Sequence, residues 1–236
     1  MITAAPARGG KARRPGARRS PPSTLKLREQ AYQSFTARLL ARDIRPGQFV
    51  SQRELVGITG MSLGAIRELI PRLEADGLIK TVPQRGMQIA HVDLNLIRNA
   101  FQFRLILEKE AVMHFVETAS DDELAALRQV HQATLTEAER GGTPDLLRRA
   151  QQMDWDLHDL MIDRLGNDII SSAYRVNSIK IRLIIFERVR MLPELVVSVM
   201  NEHLPIIKAL QHRDAAAAVA AIEAHIGSAR ARALQI

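Results

Sequence analysis

Apolar residues recur at three- and four-residue spacing through most of this 236-residue chain, the period of helices that bury one face. Six such stretches fill the back of the sequence, over 94–118, 121–140, 145–164, 169–189, 195–211 and 215–233. The breaks between them carry helix-end chemistry. Ser120-Asp121-Asp122-Glu123 has N-cap and capping-box character, Gly141-Gly142-Thr143-Pro144 interrupts the chain, Gly166-Asn167 ends the third stretch and Asp214 caps the last. Six helices on short loops predict an antiparallel all-α bundle.

The front reads differently. A helix over 27–41 ends at Asp43-Ile44-Arg45-Pro46-Gly47, where Pro-Gly punctuates. An extended piece over 48–50 leads to Ser51, and Glu54 three residues later forms the capping-box pattern that starts a helix over 52–58. That helix stops near Gly60. Ser62 can cap a third running to about Asp76, with Gly77 as its stop. Short strands over 78–82 and 87–90 then flank the turn Pro83-Gln84-Arg85-Gly86. Helix, helix, turn, helix, hairpin is the order of a winged helix-turn-helix, so the whole is mainly α with a small β-hairpin wing. Pro71 falls inside the third helix, where it removes one backbone bond and is expected to bend the axis.

Composition supports two domains and few strands, with aromatics at only 4%. The net charge of +7 is unevenly placed. Residues 1–23 hold six basic side chains and no acids, residues 24–92 ten against six, and residues 93–236 seventeen against twenty. A basic front on an acidic back points to a polyanion partner for the front alone. The expected organisation is a disordered basic arm over 1–23, a DNA-binding unit over 24–92 and a helical unit over 93–236. The arm has too few apolar side chains to offset the entropy of ordering them. An arginine-rich start without acids is also the composition of an organelle transit peptide, although its helical amphipathicity is poor. No apolar run reaches the ~18 residues of a membrane span, and the start lacks the apolar core of a secretory signal. A soluble, cytoplasmic protein with no membrane partner is expected.

The chain has no cysteine, so any metal must be held by imidazole and carboxylate. His203 and His225 each lie eleven residues from Asp214. If 198–232 is a helical hairpin turning at 211–214, the two histidines meet at one height, roughly 16 Å from the turn. Asp154 and His158, at i and i+4, share one helix face. Four nitrogen and oxygen donors can therefore converge, a set suited to a divalent ion such as Zn²⁺ or Ni²⁺. A single histidine is more often a hydrogen-bonded core residue, and it is the four donors in register that favour a metal. Pro205 complicates the height match, since the helix must either kink there or begin later, around Asn201. His91, His114, His131 and His212 match no motif and are placed on the surface.

Two resemblances sharpen this reading. PGQFVSQRELVGITGMSLGAIRELIPRLEADGLIKTVPQRG is similar to the DNA-binding domain of GntR-type bacterial regulators, with Pro46-Gly47, Arg67-Glu68, Leu73, Gly77-Leu78 and Gly86 in register. The resemblance implies DNA-facing roles for Arg53, Ser62, Gly64 and Arg67, and a wing tip at Gly86 flanked by Arg85 and Gln84. Where that family usually carries Ser-Arg-Thr-Pro, this chain has Ser62-Leu63-Gly64-Ala65. An arginine there could grip guanine for about 1–3 kcal/mol of discrimination, and leucine cannot. An operator that differs at that base pair is expected.

The back half resembles the FCD ligand-binding domain of the FadR-like subgroup. The resemblance rests on Arg104-Leu105-Ile106-Leu107-Glu108, on Asp154-x-x-Leu157-His158 with Gly166-Asn167 (leucine replacing the usual phenylalanine), on Glu202-His203 and on His225. It implies that Asp154, His158, His203 and His225 bind a divalent metal. Open positions on such an ion could take a ligand's carboxylate, with Arg104 forking onto the ligand's far end or simply pairing with Glu108. The resulting expectation is a ligand-responsive repressor, a homodimer on a double-stranded DNA operator, with a small carboxylate effector. The alternatives are a regulator that senses the metal itself, a metal-dependent hydrolase using the ion to activate water, or a sequence-blind architectural DNA protein.

Overall fold

The computed structural model describes residues 24–235, so the basic arm expected over 1–23 lies outside the described residues. The front comprises α1 (Thr24–Leu40), β1 (Phe49–Val50), α2 (Gln52–Thr59), α3 (Leu63–Ala75), β2 (Ile79–Val82) and β3 (Gly86–Ile89). Both halves of the capping box form at the start of α2. Glu54 N–H donates to Ser51 Oγ at 3.2 Å, and Ser51 N–H donates to the Glu54 carboxylate at 2.6 Å, which satisfies two backbone donors of the first turn. Gly60 ends α2 at φ 69°. Ser62 caps α3 by accepting from Ala65 N–H at 3.2 Å. Leu55, Ile66, Leu69 and Leu73 of these helices are buried with Phe35 and Leu39 of α1.

The extended piece before Ser51 does more than connect. It pairs antiparallel with β3, giving a three-stranded sheet in the order β1-β3-β2. β3 begins at Gly86 with φ +91°, and a Cβ there would lie 2.9 Å from the Val50 carbonyl oxygen. Glycine is therefore required where β1 crosses the hairpin.

The back comprises α4 (Leu94–Thr118), α5 (Asp121–Glu139), α6 (Pro144–Arg164), α7 (Asp168–Arg188), α8 (Pro193–Gln211) and α9 (Ala215–Leu234). Asp93, Ser120, Thr143, Asn167 and Asp214 each accept from a first-turn backbone N–H of the helix that follows. α4 packs on α6, α7 and α9, while α8 packs on α5 and α9. Arg213, at the turn between α8 and α9, donates to the Val116 carbonyl at 2.8 Å and to Asp121 at 2.6 Å, pinning that hairpin to the α4–α5 corner. Both α3 and α8 run unbroken through their internal prolines. Pro71 and Pro205 are exposed, as are Arg67 and Asn201 four residues earlier, the residues whose carbonyls each proline leaves without an amide partner.

α7 joins the two halves. Arg42, beyond the end of α1, donates to the Phe186 carbonyl, one of the acceptors a helix C-terminus leaves free. Arg188 donates to the Val92 carbonyl at 3.2 Å. Among the described residues no helix is long and apolar enough to cross a membrane.

Candidate metal centre and nucleic-acid face

α6, α8 and α9 bring Asp154, His158, His203 and His225 together in the bundle interior, with one donor atom from each lying within 4.8 Å of all the others. The histidines are at most 2% exposed. His158 Nε2 lies 3.1 Å from His225 Nε2. Asp154 Oδ1 lies 3.1 Å from His203 Nε2 and 3.8 Å from the Nε2 atoms of His158 and His225. Donors about 2.1 Å from a shared ion stand about 3.0–3.4 Å apart, so these separations are close to the edges of a coordination shell. His203 Nε2, although near Asp154, is out of line for a hydrogen bond and is a buried nitrogen without a partner among the described residues. Such an atom costs stability unless something takes its lone pair. The height match of His203 and His225 holds, with ring centroids 4.6 Å apart, because α8 continues through Pro205.

A second layer of charge orients the rings. His158 Nδ1 is 2.6 Å from Glu108 Oε2, and His225 Nδ1 is 2.9 Å from Glu202 Oε2. Each carboxylate is held in turn. Glu108 receives Arg104 Nε at 2.7 Å and the Tyr174 hydroxyl at 2.6 Å, and Glu202 receives both terminal nitrogens of Arg232 at 2.6 and 3.1 Å. Carboxylates on the far nitrogens leave Nε2 free to bind an ion, the usual outer layer of a histidine metal site. Burial pushes the His225 imidazole down to about 3 and lowers that of His203, so both are neutral donors at neutral pH. Burial also raises the Asp154 carboxyl, but the adjoining His158 and His203 imidazoles outweigh it and hold the group well below the usual carboxylate range. Glu108 behaves alike: burial pushes it up, while Arg104 and His158 bring it to about 2.

The donor set fits a divalent transition ion: Asp154, His158, His203 and His225 would hold it, and the ion would supply positive charge at the base of an adjoining cavity. That cavity is lined by the polar side chains of Arg104, Asp154, His225 and Arg232 and by apolar ones that include Ile181 and Ile185 of α7. Trp155 also lines it, and the indole sits between the edge-on ring of Phe186, with centroids 5.7 Å apart, and the Arg182 guanidinium, 4.2 Å from its centroid. Arg104 is thus an ion-pair partner of Glu108 and a cavity residue at once. Asp156 and Asp159 are engaged elsewhere, Asp156 by Gln152 and Asp159 by Arg175 and Arg182.

Placing His131 on the surface was wrong. It is fully buried on α5, 5.3 Å from His203 between ring centroids, with Nδ1 2.7 Å from the Leu127 carbonyl. His91 and His212 are exposed and His114 is half-buried. Glu202 and Glu108 also exceed their sequence reading, since nothing in the spacing marked them as supports for His225 and His158.

On the front half, Arg53, Ser62, Gly64, Arg67 and Arg85 are exposed, and Leu63, the first residue of α3, is 37% exposed. Arg67 Nε donates to Gln52 at 3.2 Å, tying α3 to α2, and the Arg85 guanidinium lies 4.0 Å from the centre of the Phe49 ring. The hairpin tip is Pro83-Gln84-Arg85; Gly86, half-buried, is already in β3. Its glycine is thus explained by the approach to Val50.

Residues 27–89 match the family model described as bacterial regulatory proteins of the gntR family, and residues 99–228 match the FCD domain. The chain is 27% identical over 136 residues to the uncharacterized HTH-type transcriptional regulator YdhC of Bacillus subtilis, covering 57% of this chain and 58% of YdhC. It is 27% identical over 199 residues to the HTH-type transcriptional repressor RspR of Escherichia coli, covering 80% of this chain and 83% of RspR. The chain thus spans less than two thirds of YdhC and most of RspR. Among solved structures, E. coli McbR/YncC shares the fold, with a TM-score of 0.67 at 17% identity over 86% of this chain and 94% of McbR/YncC.

Proposed function

This chain belongs to the gntR family of bacterial regulatory proteins that carry an FCD domain, and from that premise we propose a ligand-responsive transcription regulator whose helical half binds a divalent metal and a small organic acid. The observation that carries the metal reading is the convergence of three buried imidazole nitrogens and one carboxylate oxygen, two of the imidazoles backed by a carboxylate. Charge supports the acid. Asp154, Glu108 and Glu202 face Arg104 and Arg232, so with all three imidazoles neutral, as ligation of an ion requires, these groups carry one net negative charge. A divalent ion turns this to one positive charge beside a largely apolar cavity, a setting that favours an anion with a carbon skeleton. The ion would serve as a binding point, with Arg104 at the other end of the acid.

The exposed row of Arg53, Ser62, Gly64 and Arg67 with Arg85 at the wing supports a double-stranded DNA partner, the N-terminal residues of α3 meeting base edges. Two half-sites read by a homodimer give one small head its specificity. Repression is the sign we propose, by analogy with RspR. Wall residues Ile181 and Ile185 of α7 lie on the same helix as the Phe186 carbonyl that Arg42 grips, so a ligand in the cavity bears on a helix attached to the head.

The test is native mass spectrometry of protein purified without added metal. One divalent ion per chain is expected in the wild type and none in Asp154→Ala. An ion-free wild type that also takes up none of Zn²⁺ or Ni²⁺ when offered would overturn the metal reading. Operator binding titrated with Zn²⁺ alone separates a metal sensor from an acid sensor, since only a metal sensor responds without acid.

A further inference from the structure

We propose that His131 is a positioning residue for the metal centre, accepting a hydrogen bond from Nδ1 of His203 and thereby fixing the ring that presents Nε2 to the ion. This rests on the metal reading above. Two of the three proposed histidine ligands have a carboxylate at Nδ1, Glu108 for His158 and Glu202 for His225. His203 has none. Its Nδ1 is a buried nitrogen without a hydrogen-bond partner among the described residues, and so is Nε2 of His131; Nδ1 of His158 also lacks an aligned hydrogen bond, but it has the Glu108 carboxylate 2.6 Å away, whereas His203 has no carboxylate there.

The tautomer of His131 is set by its own helix. Nδ1 lies 2.7 Å from the Leu127 carbonyl, which can only accept, so Nδ1 carries the proton and Nε2 is left with a lone pair. A neutral His203 that gives Nε2 to an ion must carry its proton on Nδ1. One orphaned acceptor and one obligatory donor therefore belong to neighbouring rings on the packed helices α5 and α8. The rings meet edge to face at 60°, with centroids 5.3 Å apart. Neither nitrogen is in hydrogen-bond alignment as the rings stand, so the proposed bond requires the two neighbouring rings to turn toward each other.

Nε2 of His203 has no aligned partner among the described residues. With an ion on it, the proton is confined to Nδ1, and His131 is the acceptor in place. The three rings are then supported by two charged groups and one neutral one. Each charged support is balanced by an arginine, Arg104 or Arg232, so a third carboxylate behind His203 would be a buried charge without a partner. A neutral histidine supplies the acceptor without that cost.

The experiment compares Zn²⁺ affinity, by competition with a chelator, for the wild type, His131→Leu and His131→Gln, with the ring nitrogens of ¹⁵N-histidine-labelled, Zn²⁺-loaded wild type read by long-range ¹H–¹⁵N NMR. Loss of an outer-layer partner typically weakens metal binding about 10- to 100-fold, so His131→Leu is expected to fall in that range. His131→Gln, whose amide oxygen can accept, is expected to recover part of the loss. The loaded wild type should show the proton of His203 on Nδ1 and an unprotonated Nε2 on His131. Equal Zn²⁺ affinity in the wild type and a folded His131→Leu, or a proton on His131 Nε2 in the loaded protein, overturns the inference while leaving the metal reading intact. A wild type that binds no Zn²⁺ or Ni²⁺ overturns both. If His131→Leu does not fold, His131→Gln and the wild-type NMR decide.

Discussion

In the front half Arg53, Ser62, Gly64, Arg67 and Arg85 all face solvent, and the buried side chains beneath them are apolar apart from Thr59. In the back half the three proposed imidazole donors are sunk in the core with Glu108, His131 and Arg104, while Asp154, Glu202 and Arg232 are partly exposed. A surface residue that reads a partner contributes little to folding, so the front can change what it recognises without touching its core. A buried centre allows no such separation. Its supporting carboxylates are each balanced by an arginine, and altering the ligand set alters what holds the bundle together.

The strongest attempt to break that contrast is Glu108→Ala, which strips Arg104 and His158 of their shared carboxylate. Leaving a buried guanidinium unpaired should lower stability by about 3–5 kcal/mol in urea unfolding; a loss below about 1 kcal/mol would mean that the centre is decoupled from the fold. Metal removal comes next. At an ion concentration a hundredfold above Kd, chelation should cost roughly 2.7 kcal/mol, seen in thermal unfolding of the wild type and absent in Asp154→Ala.

Arg67→Ala and Arg53→Ala test the opposite side of the contrast. Each should weaken operator binding by about 1–3 kcal/mol if it reads a base, while unfolding stays within about 0.5 kcal/mol of the wild type. A large stability loss with unchanged DNA binding would reverse the assignment. The smallest effect belongs to Ser51→Ala, which removes the cap of α2 and should cost about 1 kcal/mol of stability with no change in Zn²⁺ affinity.

How much of this could be read in advance depended on the range of the interaction. Helix ends were legible because Ser51, Ser62, Ser120 and Asp214 act on backbone groups two or three residues away. The tetrad was legible because 3.6-residue geometry fixes Asp154 against His158 and a hairpin fixes His203 against His225. The strand at Phe49–Val50 was seen only as extended chain, since its pairing with β3 spans almost forty residues. His131 had no signal of its own: its relation to His203 exists only because α5 packs on α8. The expected trouble at Pro205 did not arise, because its side of the helix faces water, a property that periodicity assigns only once the packing partner is known.

Trp155 is the single tryptophan of the chain. Its indole forms part of the cavity wall, with Phe186 at one edge and a guanidinium nearby. All indole fluorescence of this protein therefore originates at one spot. Occupancy of the pocket can be followed by emission colour and quenching in unlabelled protein, with no second fluorophore of its kind to dilute the signal.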